Sequence, residues 1–188
     1  MILTEKYDDA LQYASRLHRL QMRKSTEIPY ISHLIAVSSL VLEQGGNEDE
    51  AIAGLLHDAV EDQGGEPRLE EIRNKFGENV ANIVDGCTDS YVEPKPPWRE
   101  RKEGYIADIR DKKCTSTLLV SACDKLHNAR AILADYRQIG DEVYDRFTAS
   151  KADTLWYYTG LVEAFKSRGD LAVFDELGLV VQELQKRE

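Results

Sequence analysis

Four histidines, His18, His33, His57 and His127, are spread along a chain of 188 residues. His57 is the one with reactive neighbours. Asp58 follows it directly, and Glu61 and Asp62 come one helical turn later in Leu55-Leu56-His57-Asp58-Ala59-Val60-Glu61-Asp62. On an α-helix, residues three and four apart share a face. This spacing therefore gathers an imidazole and three carboxylates at the end of an apolar segment. Asp58 and Asp62, four apart, repel as like charges. If partly buried, such a group is costly without a counter-charge. A divalent cation relieves the cost, and imidazole with carboxylate suits a borderline or hard first-row metal. In a second cluster, Cys123-Asp124-Lys125-Leu126-His127-Asn128, an apolar run delivers one carboxylate, Asp124, with Asn128 one turn further on the same side. His33 opens another apolar helical stretch. Taken singly, a helical histidine is usually an ordinary packed or surface residue, and an acidic helix end is usually solvated. The joint order His33, His57-Asp58, Asp124, with an acidic pair one turn past the His-Asp, is much rarer by chance.

That order resembles the HD-domain metal-dependent phosphohydrolases. Longer strings are similar to the hydrolase domain of the RelA/SpoT family and its small stand-alone alarmone hydrolases. They are Arg23-Lys24, Pro29-Tyr30-Ile31-Ser32-His33, Leu55 to Asp62, and Asp124-Lys125-Leu126-His127-Asn128, within a span from about Ala10 to Phe165. The resemblance implies an all-helical fold and one divalent ion, Mn²⁺, held by His33, His57, Asp58 and Asp124. It implies that Glu61 and Asp62 are the catalytic pair serving the attacking water. It implies that Arg23, Lys24, Ser32 and Asn128 line a nucleotide pocket. The implied reaction releases pyrophosphate from the 3′ position of guanosine tetra- or pentaphosphate. The physical chemistry agrees. A divalent ion with two carboxylate ligands is formally neutral yet still a Lewis acid. Glu61 can accept a proton from water or orient it, and Arg23 and Lys24 can offset a densely anionic pyrophosphate.

Three departures leave the exact nucleotide open while sparing the ligands. Ser121 stands where the family often has lysine, Gln63 where the acidic pair is often followed by threonine, and the loop around Val92–Trp98 has no evident counterpart. Two other readings stand beside the alarmone hydrolase. One is a phosphohydrolase of another nucleotide: an adenosine alarmone, a dinucleotide phosphate or a deoxynucleotide. The other is a metal-binding regulatory or antitoxin-like module with weak catalysis, against which the retention of both Glu61 and Asp62 argues.

The elements that must position these residues read as helices. The prolines, Pro29, Pro67, Pro94, Pro96 and Pro97, mark boundaries. Apolar residues at helical spacing predict a first helix over Thr4–Gln21, then a loop from Arg23 to Tyr30. Ser32 is placed to cap the next helix, which Gly45-Gly46 ends. Asn47 with Glu50 resembles a capping pair for one helix running through Ile52, Leu56 and Val60 to Gly64-Gly65. Further helices are expected at 69–76, 78–87, 99–113, 115–136, 141–147, 151–166 and 171–185, with a polar loop at 88–98. The expected class is all-α: a single HD domain over 1–188, its motif-bearing core at about 10–166 and a C-terminal helix at about 171–185.

Composition narrows the partners. With 34 acidic and 24 basic residues the formal charge is −10, which repels a phosphate backbone and argues against nucleic acid as a partner. No apolar run approaches the ~18 residues that span a membrane, and the charged start MILTEKYDDALQY lacks a secretory h-region. Cys87, Cys114 and Cys123 form no C-x-x-C, so they read as reduced thiols of a cytoplasmic protein. The basic stretch from Lys95 to Lys113 is diluted by acids and reads as a solvated face, with one or two residues left to touch phosphate. Trp156-Tyr157-Tyr158 reads as core with a tyrosine at a pocket rim. About 23 residues follow Phe165, too few for a synthetase domain, so hydrolysis without synthesis is expected. A homo-oligomer stays open.

Overall fold

Helices make up the regular structure of the described residues, 2–89, 96–111 and 114–186, of the computed structural model. In chain order they are α1 (Glu5–Leu17), α2 (Ile31–Glu43), α3 (Glu48–Leu56), α4 (Ala59–Gln63), α5 (Gly65–Phe76), α6 (Glu78–Cys87), α7 (Trp98–Asp111), α8 (Thr115–Ile139), a 3-10 helix (Gly140–Arg146), α9 (Lys151–Lys166) and α10 (Ala172–Gln185). Met22 and Pro29 form one isolated antiparallel bridge. Residues 90–95, most of the predicted loop at 88–98, lie outside the described residues. Among those described, no helix is long and apolar enough to cross a membrane.

The capping pair forms as predicted. The Asn47 side chain accepts from the Glu50 backbone amide at 3.1 Å, and the Glu50 carboxylate accepts from the Asn47 amide at 2.7 Å. Of the starts and stops that differ from expectation, three bear on the site. The first helix ends at Leu17, because His18 turns inward: its side chain is buried and stacks on Tyr30. The chain then pairs with itself through Arg23 N–Ile28 O (2.8 Å) and Tyr30 N–Gln21 O (2.9 Å). Ser32 does not cap α2, which starts two residues earlier with Tyr30 at the N-cap. The single helix expected from Asn47 to Gly64 is broken at His57-Asp58 into α3 and α4. Asp58, at φ −96° and ψ −4°, leaves the regular helical path. Neighbours on an unbroken helix do not face one another, so this break lets two consecutive residues serve one site.

The long α8 packs against α2, α3, α6, α9 and α10. Its apolar residues Leu118, Val120, Ala122, Leu126, Ala129 and Leu133 are buried. The pairing of α2 with α3 sets how close His33 and His57 stand. The Ser38 hydroxyl donates to the Ala51 carbonyl (2.8 Å) and accepts from Tyr7 (2.8 Å), tying α1, α2 and α3 together. Gly54 makes the approach close: a Cβ there would lie 3.0 Å from the Ser38 Cα and 3.2 Å from its amide nitrogen. On an exposed helix, Gly→Ala stabilises. Here Gly54→Ala should instead lower thermal stability, by roughly 1–3 kcal/mol as overpacked helix pairs do. A melting temperature at or above wild type would refute this account of the α2–α3 contact.

Candidate metal centre

Four side chains from three places in the fold converge. His33 comes from the first turn of α2, His57 and Asp58 from the α3–α4 break, and Asp124 from the middle of α8. The ligand atoms of His33, His57 and Asp58 lie within 4.8 Å of one another. Asp58 Oδ2 is 3.0 Å from His57 Nε2 and 3.6 Å from His33 Nε2. Asp124 Oδ1 closes the set, 3.1 Å from His33 Nε2 and 3.6 Å from His57 Nε2. Both imidazoles and Asp124 are buried, and Asp58 is partly so.

The donor set fits a divalent cation, and His57 carries the argument. Its Nδ1 lies 2.9 Å from the Gly54 carbonyl oxygen. That oxygen only accepts, so Nδ1 carries the hydrogen. In the neutral ring Nε2 is then a buried lone pair without a hydrogen-bond partner, aimed at two carboxylates. Such an atom needs a cation in front of it. Burial alone would push His57 below its ordinary 6.5, but the charges of Asp58 and Asp124 outweigh it and raise it well above. Burial likewise works to raise Asp58 and Asp124. The His57 charge at Asp58, and the Lys125 ammonium at Asp124, hold both well below the usual carboxylate range.

Three of the four are braced by neighbouring side chains as well. The Tyr30 hydroxyl donates to Asp58 Oδ2 at 2.6 Å. Burial, then the Asp58 charge, raises the Tyr30 phenol, so it stays a donor. Lys125 Nζ lies 2.5 Å from Asp124 Oδ2, and Asn128 Nδ2 donates to Asp124 Oδ1 at 2.6 Å. His33 Nδ1 meets His127 Nδ1 at 2.8 Å.

A family model described as the HD domain matches residues 10–155. The chain belongs to the HD-domain family. Relatives and solved structures agree with this. The guanosine-3′,5′-bis(diphosphate) 3′-pyrophosphohydrolase MESH1 of Drosophila melanogaster is 37% identical over 128 residues, covering 66% of this chain and 68% of that protein. MESH1 of Xenopus tropicalis is 38% identical over 125 residues, covering 65% and 66%. A GTP pyrophosphokinase of Streptomyces coelicolor is 39% identical over 127 residues, 65% of this chain but 14% of that protein. The chain thus spans between 14% and 68% of the length of these relatives. The solved structure of a metazoan SpoT ortholog described as hydrolysing ppGpp superposes with a TM-score of 0.76 at 27% identity, covering 100% of this chain and 97% of that one. A crystal structure from Listeria monocytogenes gives 0.73 at 28% identity, over 82% of this chain and 99% of that one.

Beside the four converging residues, the HD domain opens into a cavity of about 500 Å³ whose lining includes Arg23, Lys24, Lys102, Lys125, Asn128 and Tyr158. An adjoining cavity of about 300 Å³ shares Lys24, Lys102, Tyr157 and Tyr158 and is bordered by Glu61 and Arg101. Of the residues predicted for the pocket, Arg23, Lys24 and Asn128 therefore stand together. Arg23 Nη2 donates to Asn128 Oδ1 at 2.9 Å, and Lys24 Nζ lies 3.4 Å from the Thr148 hydroxyl. Ser32 is exposed in the first turn of α2 and borders neither cavity. Asp62 accepts from Gln21 Nε2 at 2.8 Å, and Gln63 Nε2 donates to Gln21 Oε1 at 2.7 Å.

Sequence reasoning gives Lys125 and Tyr30 no role of their own and leaves Lys102 within a basic stretch of which one or two residues touch phosphate. Lys102 is hidden in a mixed-charge helix expected to be solvated, yet it stands three, four and seven residues before Tyr105, Ile106 and Ile109, the buried face of α7. That phase is the available signal. Burial, and then the charge of Lys125, lowers its pKa, while its ammonium bonds Asp89 at 2.8 Å. Tyr157 and Tyr158 are buried and line both cavities, which matches the core-with-rim reading.

Asp124→Ala should abolish metal binding, and the wild type should hold one ion per chain by elemental analysis. His57 must also shed its raised proton to become a ligand. Binding near neutral pH should therefore release about one proton, and affinity should rise as pH climbs from 6.5 toward the raised value. Calorimetry in two buffers of different ionisation enthalpy reads this directly; a buffer-independent heat would contradict a His57 that is protonated before the ion arrives.

Proposed function

We propose that this HD domain, residues 1–188 acting as one unit, is a metal-dependent pyrophosphohydrolase. Its substrate is guanosine 3′,5′-bis(diphosphate) or the corresponding pentaphosphate, and pyrophosphate leaves from the 3′ position. The observation that carries the reading is the metal-fitting group of His33, His57 and Asp58, with Asp124 3.1 Å from His33, beside a cavity lined by five basic side chains and an adjoining one bordered by Glu61. The identities shared with MESH1 support the nucleotide. Mn²⁺, held by His33, His57, Asp58 and Asp124, is the proposed ion, and when bound it supplies Lewis acidity toward a phosphoryl oxygen and acidifies water. The cytoplasm is the proposed location.

The chain's own groups do the rest. Arg23, Lys24 and Lys102 hold phosphate oxygens; the guanidinium makes paired hydrogen bonds and the ammoniums act as point charges. Glu61 faces the same space and takes the proton of the attacking water. The water oxygen bonds to phosphorus as the 3′ P–O bond breaks, and the 3′ oxygen ends protonated. Asp62, one residue on and held by Gln21, shares that proton. Lys125 and Asn128 hold Asp124 in place from the cavity side.

The test is a nucleotide panel with Mn²⁺, analysed for pyrophosphate against phosphate. Pyrophosphate from the guanosine substrate is expected. Turnover of only another nucleotide, or release of phosphate alone, would overturn the assignment. Glu61→Gln keeps shape and hydrogen bonding but removes the basic oxygen. Metal affinity should hold while the single-turnover rate falls about 10²–10⁴-fold, as for a lost general base. A rate near wild type with metal fully bound would remove Glu61 from the mechanism.

A further inference from the structure

His33 and His127 meet nitrogen to nitrogen. Their Nδ1 atoms are 2.8 Å apart, with ring centroids 4.8 Å apart and planes inclined at 44°. A contact of that length holds one hydrogen: one Nδ1 donates it and the other offers a lone pair. With both rings neutral, two arrangements satisfy this. In the first, His127 carries the hydrogen, His33 Nδ1 is a lone pair, and His33 Nε2–H points at Asp124 Oδ1, 3.1 Å away. In the second, His33 Nδ1–H donates to a bare His127 Nδ1, and His33 Nε2 is a lone pair. A metal ligand needs the lone pair at Nε2, so only the second arrangement is compatible with an ion among Asp58, Asp124 and the two imidazoles.

We propose that His127 is the positioning residue for His33: as acceptor at Nδ1 it fixes the tautomer and ring orientation that present the His33 Nε2 lone pair to the ion. His57 has a backbone carbonyl for the same purpose. His33, 1% exposed, has His127 at its Nδ1. The placement follows from α8. Asp124 and His127 are three residues apart and so share a face of that helix, and one turn of it supplies both a ligand and the brace for a ligand from α2. The inference rests on His33 being a ligand, and its test is read in metal affinity, independently of substrate or turnover.

The variants separate acceptor from bulk. Asn places its carbonyl oxygen close to where imidazole Nδ1 stood, so His127→Asn keeps an acceptor for His33; His127→Leu keeps comparable volume and removes it. Mn²⁺ affinity, from calorimetry or chelator competition, should fall roughly 10- to 100-fold in His127→Leu, as for lost outer-shell partners. It should stay within a few-fold of wild type in His127→Asn. With Zn²⁺ bound as a diamagnetic probe, ¹⁵N–¹H long-range correlation spectra should place the His33 hydrogen on Nδ1 in the wild type. Circular dichroism of the metal-free variants checks that both fold; His127→Phe, which also lacks an acceptor, takes the place of an unfolded Leu variant, and His127→Gln that of an unfolded Asn variant. Wild-type affinity in a folded His127→Leu, or equal losses in Leu and Asn, would overturn the acceptor role. If His33→Ala binds metal like the wild type, the ligand reading itself fails; if His33→Ala loses metal and His127→Leu does not, the inference alone fails.

Discussion

Two carboxylates and two imidazoles held 3.0 to 3.6 Å apart and largely out of water are balanced only when positive charge sits among them. With His57 Nδ1 committed to the Gly54 carbonyl, its Nε2 faces carboxylate oxygens as a donor while protonated and as a bare lone pair once the proton is lost. A positive charge at the centre, a proton on His57 or the cation that replaces it, is the condition under which α2, the α3–α4 break and α8 meet. The surrounding contacts serve that meeting. Gly54 lets α2 and α3 touch backbone to backbone, the break at His57-Asp58 turns two neighbours the same way, and the apolar length of α8 carries Asp124 inward.

Charge is distributed in two layers around this centre. The chain as a whole is acidic, at −10, yet the cavity beside the centre gathers Arg23, Lys24, Lys102 and Lys125. Each of the last two is held by a carboxylate, Asp89 for Lys102 and Asp124 for Lys125. Buried cations with fixed partners cost little reorganisation when an anion arrives, and low-dielectric walls strengthen their pull. The outer negative charge confines the positive field to the cleft, which disfavours extended polyanions while admitting a small one.

Much of this is legible from residue order, because the converging side chains sit in short strings whose spacing has a direct geometric meaning. The capping box at Asn47 and Glu50 and the helices at 78–87 and 151–166 follow from local chemistry alone. What escapes depends on tertiary contact. Helical periodicity runs unbroken through His57-Asp58, so nothing local announces the break there. Ser32 has the chemistry of a cap, but Tyr30 takes the boundary because the Pro29 turn directs the chain into the helix two residues early. Lys102 reads as a solvated charge because its neighbours are charged; only the packing of α7 on α9 buries it. The stretch expected as a helix at 141–147 forms with tighter 3-10 geometry over Gly140–Arg146.

Arg23 belongs to two structures at once. It lines the cavity, and its guanidinium holds the Asn128 carbonyl oxygen while the amide of the same side chain donates to Asp124. An anion that engages Arg23 therefore draws on a contact two hydrogen bonds away from the ion. The free energy by which such an anion strengthens or weakens the hold on the metal must equal the free energy by which the metal alters the hold on the anion. Occupancy of the one is thus a reporter of the other, across a single asparagine.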